Sequence, residues 1–120
     1  MKVIIFGSRH MQWKDYDLVD RAVKASGFSV LEVVSGQARG ADTMGEKWAF
    51  DRGIPRKLFP ADWETHGKAA GPIRNMEMGD YADAGIGFIW DGSRGSAHMA
   101  AYLQKLGKPC YLVYNGEIHD

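Results

Sequence analysis

The sequence predicts an α/β domain of Rossmann-like layout, one sheet of about five mostly parallel strands with helices on both faces. Two observations carry this. Short apolar runs alternate with segments of helical period, and nearly every run ends on glycine or serine before the next helix begins. Strands separated by whole helices need crossover connections, and crossovers build parallel sheets covered on both sides.

Taken in order, Val3 to Phe6 is a continuous apolar run that stops at Gly7, the pattern of a strand buried on both faces and hence central. Trp13 to Ala25 follows as a helix, with Leu18, Val19, Ala22 and Val23 on one face, and Gly27 ends it. Leu31 to Val34 is the second strand, closed by Ser35 and Gly36; Ala41, Met44, Trp48 and Ala49 then recur at helical spacing. Gly53 and Pro55 introduce a more polar third strand, Arg56 to Phe59, whose composition suits a sheet edge. Ala61 to Pro72 has no clean period and reads as a long loop, with a helix from Ile73 to Tyr81 beyond it. Ile86 to Trp90 is the fourth strand and Asp91 to Gly95 its turn. Met99, Tyr102, Leu103 and Leu106 form a helical stripe that Gly107 and Pro109 stop before the last strand, Cys110 to Tyr114.

The 120 residues, 45% of them hydrophobic, suit a single domain over 1–120. Fifteen basic and 15 acidic side chains cancel to a formal charge of zero, which argues against capture of long nucleic acid or a membrane surface and for a small ligand. The opening MKVIIFGSR has too short an apolar stretch for a signal peptide or a membrane span, so the expected location is the cytoplasm. Cys110, the one cysteine, reads as a small buried hydrophobe. The histidines at 10, 66, 98 and 119 lack metal-ligand spacing, and neither a metal nor a cofactor is expected.

In doubly wound sheets ligands bind beyond the carboxyl ends of the strands, so the strand-to-helix loops are where chemistry is sought. Three of them combine glycine, hydroxyl and arginine: Gly7-Ser8-Arg9, Ser35-Gly36-Gln37-Ala38-Arg39-Gly40-Ala41-Asp42, and Asp91-Gly92-Ser93-Arg94-Gly95-Ser96. Glycine lets backbone approach an anion, a helix start offers unpaired N–H groups, and arginine clamps phosphate with two bonds. One such loop is what any strand-to-helix turn uses; three in one chain predict a phosphate cradle. None fits the G-x-G-x-x-G or Walker patterns, which excludes an ordinary dehydrogenase or ATPase. With no Gly-x-Ser-x-Gly elbow, the serines are read as phosphate ligands and not nucleophiles. Asp42 either caps the second helix or accepts from a ribose hydroxyl. Gly67 to Asn75 gathers small residues around Lys68, Arg74 and Asn75 and reads as a ligand lid. His98 lies one turn into the helix after Ser96. Trp63 and Trp90 are either base-stacking or core residues.

On Gly7-Ser-Arg9, Ser35 to Asp42, Ala61-Asp-Trp63, Ala70 to Asn75, Met78, Asp83 and Gly92 to Ser96, the chain resembles the SLOG superfamily, specifically its small YspA/YpsA-related branch of bacterial and phage proteins. The resemblance implies a Rossmann-like fold binding nucleotides or nucleotide-derived signals and a homodimer or higher homo-oligomer. In the LOG enzymes it implies hydrolysis of a nucleoside monophosphate's N-glycosidic bond. There an arginine ahead of the fourth strand and a glutamate after a Pro-Gly-Gly-x-Gly-Thr loop are catalytic. Arg74 matches the arginine in context. The loop here lacks Pro-Gly-Gly, and His98 stands where the glutamate is expected, although an oxocarbenium-like state calls for a carboxylate. The site expected from sequence is therefore a nucleotide cradle in a sensor or phage factor, with Arg9, Arg39 and Arg94 as anion ligands. The alternative is an N-glycosidase or deoxyribosyltransferase-like enzyme with Arg74 positioning substrate and Asp42 or His98 as acid or base; Asp42, Asp91 and Glu77 are its candidate carboxylates. A third reading is an adaptor with a vestigial cleft.

Overall fold

The fold is seen in a computed structural model, which describes residues 1–90 and 92–118. Five strands form one sheet, all pairs parallel, in the order β3-β2-β1-β4-β5: β1 Lys2–Gly7, β2 Glu32–Ser35, β3 Arg56–Leu58, β4 Ala84–Ile89 and β5 Cys110–Tyr114. The helices are α1 Asp17–Ser26, α2 Ala41–Asp51, the single turn α3 Trp63–His66, α4 Ala70–Tyr81 and α5 Arg94–Lys105.

The continuous apolar run of β1 is explained by two cores. Val3 and Ile5 join residues of α1 and α2 on one face, such as Val19 and Trp48, while Ile4 and Phe6 join Met78 of α4 and Met99 and Leu103 of α5 on the other. All four β1 side chains are buried, as a strand covered on both faces requires. In contrast, β3 is exposed along its length, the sheet edge its polar composition predicts. Gly27 ends α1 in the left-handed conformation, φ 73°, its N–H donating to the Lys24 carbonyl.

The structure corrects four boundaries. The first helix begins as a separate 3-10 turn, Trp13–Asp15, with Trp13 exposed, and α1 proper starts at Asp17. The fourth strand begins at Ala84, two residues before the apolar run, because Gly85 and Gly87 interrupt the apolar pattern without interrupting the strand. A Cβ on Gly87 would lie 2.6 Å from the Phe6 ring, and one on Gly85 2.5 Å from Leu103, so these glycines make room for the second core. The expected loop from Ala61 to Pro72 is mostly helical. Asp62 caps α3 by accepting the Thr65 N–H at 3.1 Å, a 3-10 turn spans Gly67–Ala69, and α4 starts at Ala70 with Pro72 in its first turn, where no N–H is needed. Finally, α5 starts at Arg94, within the turn read from sequence. Cys110 is half-buried against the second core, and burial pushes its thiol up to about 11.

Among the described residues no helix is long and apolar enough to cross a membrane.

Candidate functional site

The chain leaves β1 toward β2 on one side and reaches β4 on the other, so the connections diverge between the carboxyl ends of β1 and β4. A cleft of about 320 Å³ lies there. One wall is the loop Gly7 to His10 after β1, with Ala38 and Asp42 beside it. Arg74 and Asn75 of α4 form a second, the segment Gly92 to Ser96 at the start of α5 a third, and Phe6, Met78 and Met99 supply apolar lining.

The β1 loop is fixed from both sides. Ser8 N–H donates to the Phe88 carbonyl of β4 at 2.9 Å, and the Ser8 carbonyl accepts the Ala41 N–H at 3.1 Å. The Ser8 hydroxyl accepts the His10 N–H at 3.0 Å. Gly40 makes this contact possible: it holds φ 77°, and a Cβ there would stand 2.2 Å from the Ser8 carbonyl oxygen.

Arg74 and Asn75 tie the far walls together. The Arg74 guanidinium donates through Nη1 to the Gly36 carbonyl and through Nε to Asn75 Oδ1 at 3.2 Å. Asn75, itself buried, donates through Nδ2 to the Gly95 carbonyl at 3.2 Å, and the same nitrogen lies 3.3 Å from His98 Nδ1. Burial of Arg74 and the neighbouring Arg9 charge both disfavour its cationic form, and Asp42 acts against them. A half-desolvated arginine with a second arginine nearby is a site where an incoming anion relieves an electrostatic cost.

Asp42 is the buried acid of the cleft, 5% exposed. Its Oδ2 accepts the Ala38 N–H at 3.3 Å. Burial pushes its carboxyl up to about 6, against the pull of that N–H and of Arg74, while Glu46 adds repulsion. Of the two roles open from sequence, the structure shows Asp42 tying the second loop to α2, with the residue also lining the cleft. Proton exchange near neutral pH is within reach of such a group.

Opposite it stands the start of α5. Among the described residues no side chain caps its N-terminus, its first turn carries no acid, and Ala97 N–H closes on the Ser93 carbonyl at 3.0 Å. The N–H groups of Gly95 and Ser96 have no backbone acceptor among the described residues, and Arg94 opens the helix. Free N–H groups at a helix start are of the kind that can accept an anion.

Most residues expected in the site from sequence line this one cleft: Gly7, Ser8, Arg9, Asp42, Arg74, Asn75 and Gly92, Ser93, Arg94, Gly95 and Ser96. The second loop departs from expectation. The Ser35 hydroxyl donates to Glu46 Oε2 at 2.8 Å and accepts the Gln37 N–H, so it is occupied within the fold. Gly36 and Arg39 line an adjoining cleft, and Gly40 packs under the β1 loop. His98 is behind Asn75 and not among the residues lining the cleft, because the two-residue step from Ser96 turns it about 200° round α5, toward the opposite face. If Asn75 donates to its Nδ1, His98 carries its proton on Nε2. The segment read as a lid, Gly67 to Asn75, is the 3-10 turn Gly67–Ala69 followed by the first half of α4. Trp90 packs against the first core and Trp63 is exposed. Asp91 lies outside the described residues. His10 lines the cleft without having been expected there; its place directly after Gly7-Ser8-Arg9 was the available signal. Among the described residues no group of three or more His, Cys, Asp or Glu is placed to hold a metal ion.

Fold and cleft together define a Rossmann-like α/β protein with a cleft at the strand carboxyl ends. Residues 1–66 match the family model described as the YspA, cpYpsA-related SLOG family, and the chain belongs to that family. The Gene 61 protein of Mycobacterium phage D29 is 37% identical over 118 residues, spanning 90% of this chain and 92% of the relative. The X-ray structure of DNA processing protein A (DprA) from Streptococcus pneumoniae shares the fold, with a TM-score of 0.58 and 17% identity, covering 98% of this chain. The chain spans 62% of that protein's length.

Proposed function

We propose that the chain binds a nucleotide or nucleotide-derived anion in the cleft between β1 and β4, as a sensor or phage factor acting in the cytoplasm. Its phosphate sits over the start of α5, held by the Gly95 and Ser96 N–H groups and by Arg94 and Arg9, and its ribose hydroxyls lie toward Asp42. The observation that carries the reading is the pairing in one cleft of a buried carboxylate with a helix start that has no acid in its first turn and that no side chain caps among the described residues. A volume of about 320 Å³ is of small-molecule size. Family membership and the phage relative support it. Titration calorimetry with nucleoside mono- and diphosphates tests it: binding that Arg94→Ala weakens supports the assignment, and no heat with any nucleotide overturns it.

One observation favours a second reading, a nucleoside monophosphate N-glycosidase or deoxyribosyltransferase-like enzyme. A carboxyl raised to about 6 and accepting an N–H beside Arg74 is suited to general acid or base work. In that reading Arg74 positions the substrate and Asp42 moves the proton, with His98 holding Asn75. Release of free base from nucleoside monophosphates, abolished by Asp42→Asn, is the expected result; no base from any of them leaves the binding reading alone. We further propose a homodimer or higher homo-oligomer, for which exposed apolar side chains such as Leu31 and Phe50 offer surface. Light scattering after gel filtration tests it, a monomer mass overturning it.

A further inference from the structure

A second cleft of about 390 Å³ adjoins the first, between the loop after β2 and the start of α3. Arg9, Ala38 and Arg74 line both clefts, so one molecule passing over these three residues occupies the two together. What the second cleft adds is aromatic. Trp63 lines it and is 53% exposed, so that ring surface faces the cleft region and solvent. The ring stands beside the start of α4. Its Cη2 lies 3.6 Å from where a Cβ on Gly71 would stand, so the start of α4 backs it, and Asp62 caps the turn that carries it. The approach to that turn is anchored to the sheet by Phe59 N–H, which donates to the Ser35 carbonyl at 2.8 Å. An exposed indole beside the start of α4, next to arginines shared with the first cleft, is a stacking platform for a flat ring.

We infer that the second cleft is the base subsite of the ligand: the nucleobase stacks on Trp63, the phosphate lies in the first cleft, and Arg74 stands between them. This rests on the nucleotide reading of the first cleft and goes beyond it by giving the ligand a direction and a residue that requires an aromatic ring. The test compares the four common ribonucleoside monophosphates with ribose 5-phosphate, which lacks the base, by calorimetry on the whole chain and on Trp63→Ala and Trp63→Phe. Trp63→Ala is expected to weaken the best-bound monophosphate roughly 5- to 100-fold and to leave ribose 5-phosphate unchanged, while Trp63→Phe keeps most of the affinity. Monophosphate binding is also expected to quench tryptophan fluorescence in the wild type and not in Trp63→Phe. Unchanged monophosphate affinity in Trp63→Ala, or an equal loss for both ligands, overturns the base subsite alone. Failure of the wild type to bind any of the five ligands overturns the first-cleft reading and this subsite with it.

Discussion

The starts of α2 and α5 follow the same kind of loop, glycine, small residue and arginine, and have opposite properties. At α2 the loop is closed from within: Gly40 presses against the Ser8 carbonyl, the Ala41 N–H is bonded to it, and the first turn carries buried Asp42, which takes the Ala38 N–H. At α5 the first turn carries Arg94 and no acid, and among the described residues no side chain caps it. The positive end of a helix dipole attracts negative charge whatever its source. Where the chain supplies a carboxylate in the first turn, an external anion meets repulsion; where it supplies an arginine, the anion is drawn in. Glycine content does not distinguish the two loops, but the sign of the first-turn charge does.

The contrast is sharpest at the glycines. Gly40→Ala forces a side chain into a positive-φ conformation against the Ser8 backbone, and a loss of about 3–5 kcal/mol is expected in urea unfolding. A loss under about 1 kcal/mol would show that the β1 loop is not held in this way.

Next in size is the pH dependence that Asp42 imposes. Its carboxyl titrates at about 6 in the folded chain against an ordinary 3.8, so between those values the folded state holds a proton that the unfolded state has released. Stability contributed by this group is therefore present below about pH 4 and lost as pH rises to about 6. The shift corresponds to about 3 kcal/mol. Wild type is expected to lose that much relative to Asp42→Asn between about pH 4 and pH 7, since the amide of the variant does not titrate and its oxygen still accepts the Ala38 N–H. Parallel curves for the two proteins would break the comparison, since α2 would then not hold a desolvated charge.

At the other helix start, Arg94→Ala is expected to weaken nucleotide binding by about 1.5–3 kcal/mol, roughly 10- to 100-fold, with little change in the melting temperature. A thermal shift by saturating ligand that survives in Arg94→Ala would move the phosphate away from α5. The smallest effect is expected at Gly95, where a Cβ meets nothing within 4 Å. Gly95→Ala should stabilise the fold by about 0.5–1 kcal/mol, since alanine is the better helix former. Destabilisation there would mean that the two starts are alike after all.

Much of the site was legible because it lies in sequence-local turns: Gly7 to Arg9 and Gly92 to Ser96 each project from the end of a strand, and any doubly wound sheet places such turns at one edge. The second loop reads from sequence as a third equal copy, and it is not one. Its serine is taken by Glu46, which lies 11 residues away across the first turns of α2, and its arginine faces another cleft. His98 is displaced from its expected place by a rotation about α5. The helical wall from Trp63 to Ala69 was invisible to periodicity because a single turn and a 3-10 turn are too short to repeat.

By itself, then, the sequence determined the alternation of strands and helices, the burial of β1 on both faces, the exposed edge at β3 and the glycine turns where the loops leave the sheet. These depend on apolar spacing and on backbone freedom, both local properties. Packing set which helix start is left without a cap among the described residues, where Asp42 acquires its raised affinity for a proton, and that Arg74 reaches from α4 to the carbonyl of Gly36, 38 residues away. Burial and electrostatic neighbourhood belong to the packed arrangement of several elements, and no single segment of the chain carries them.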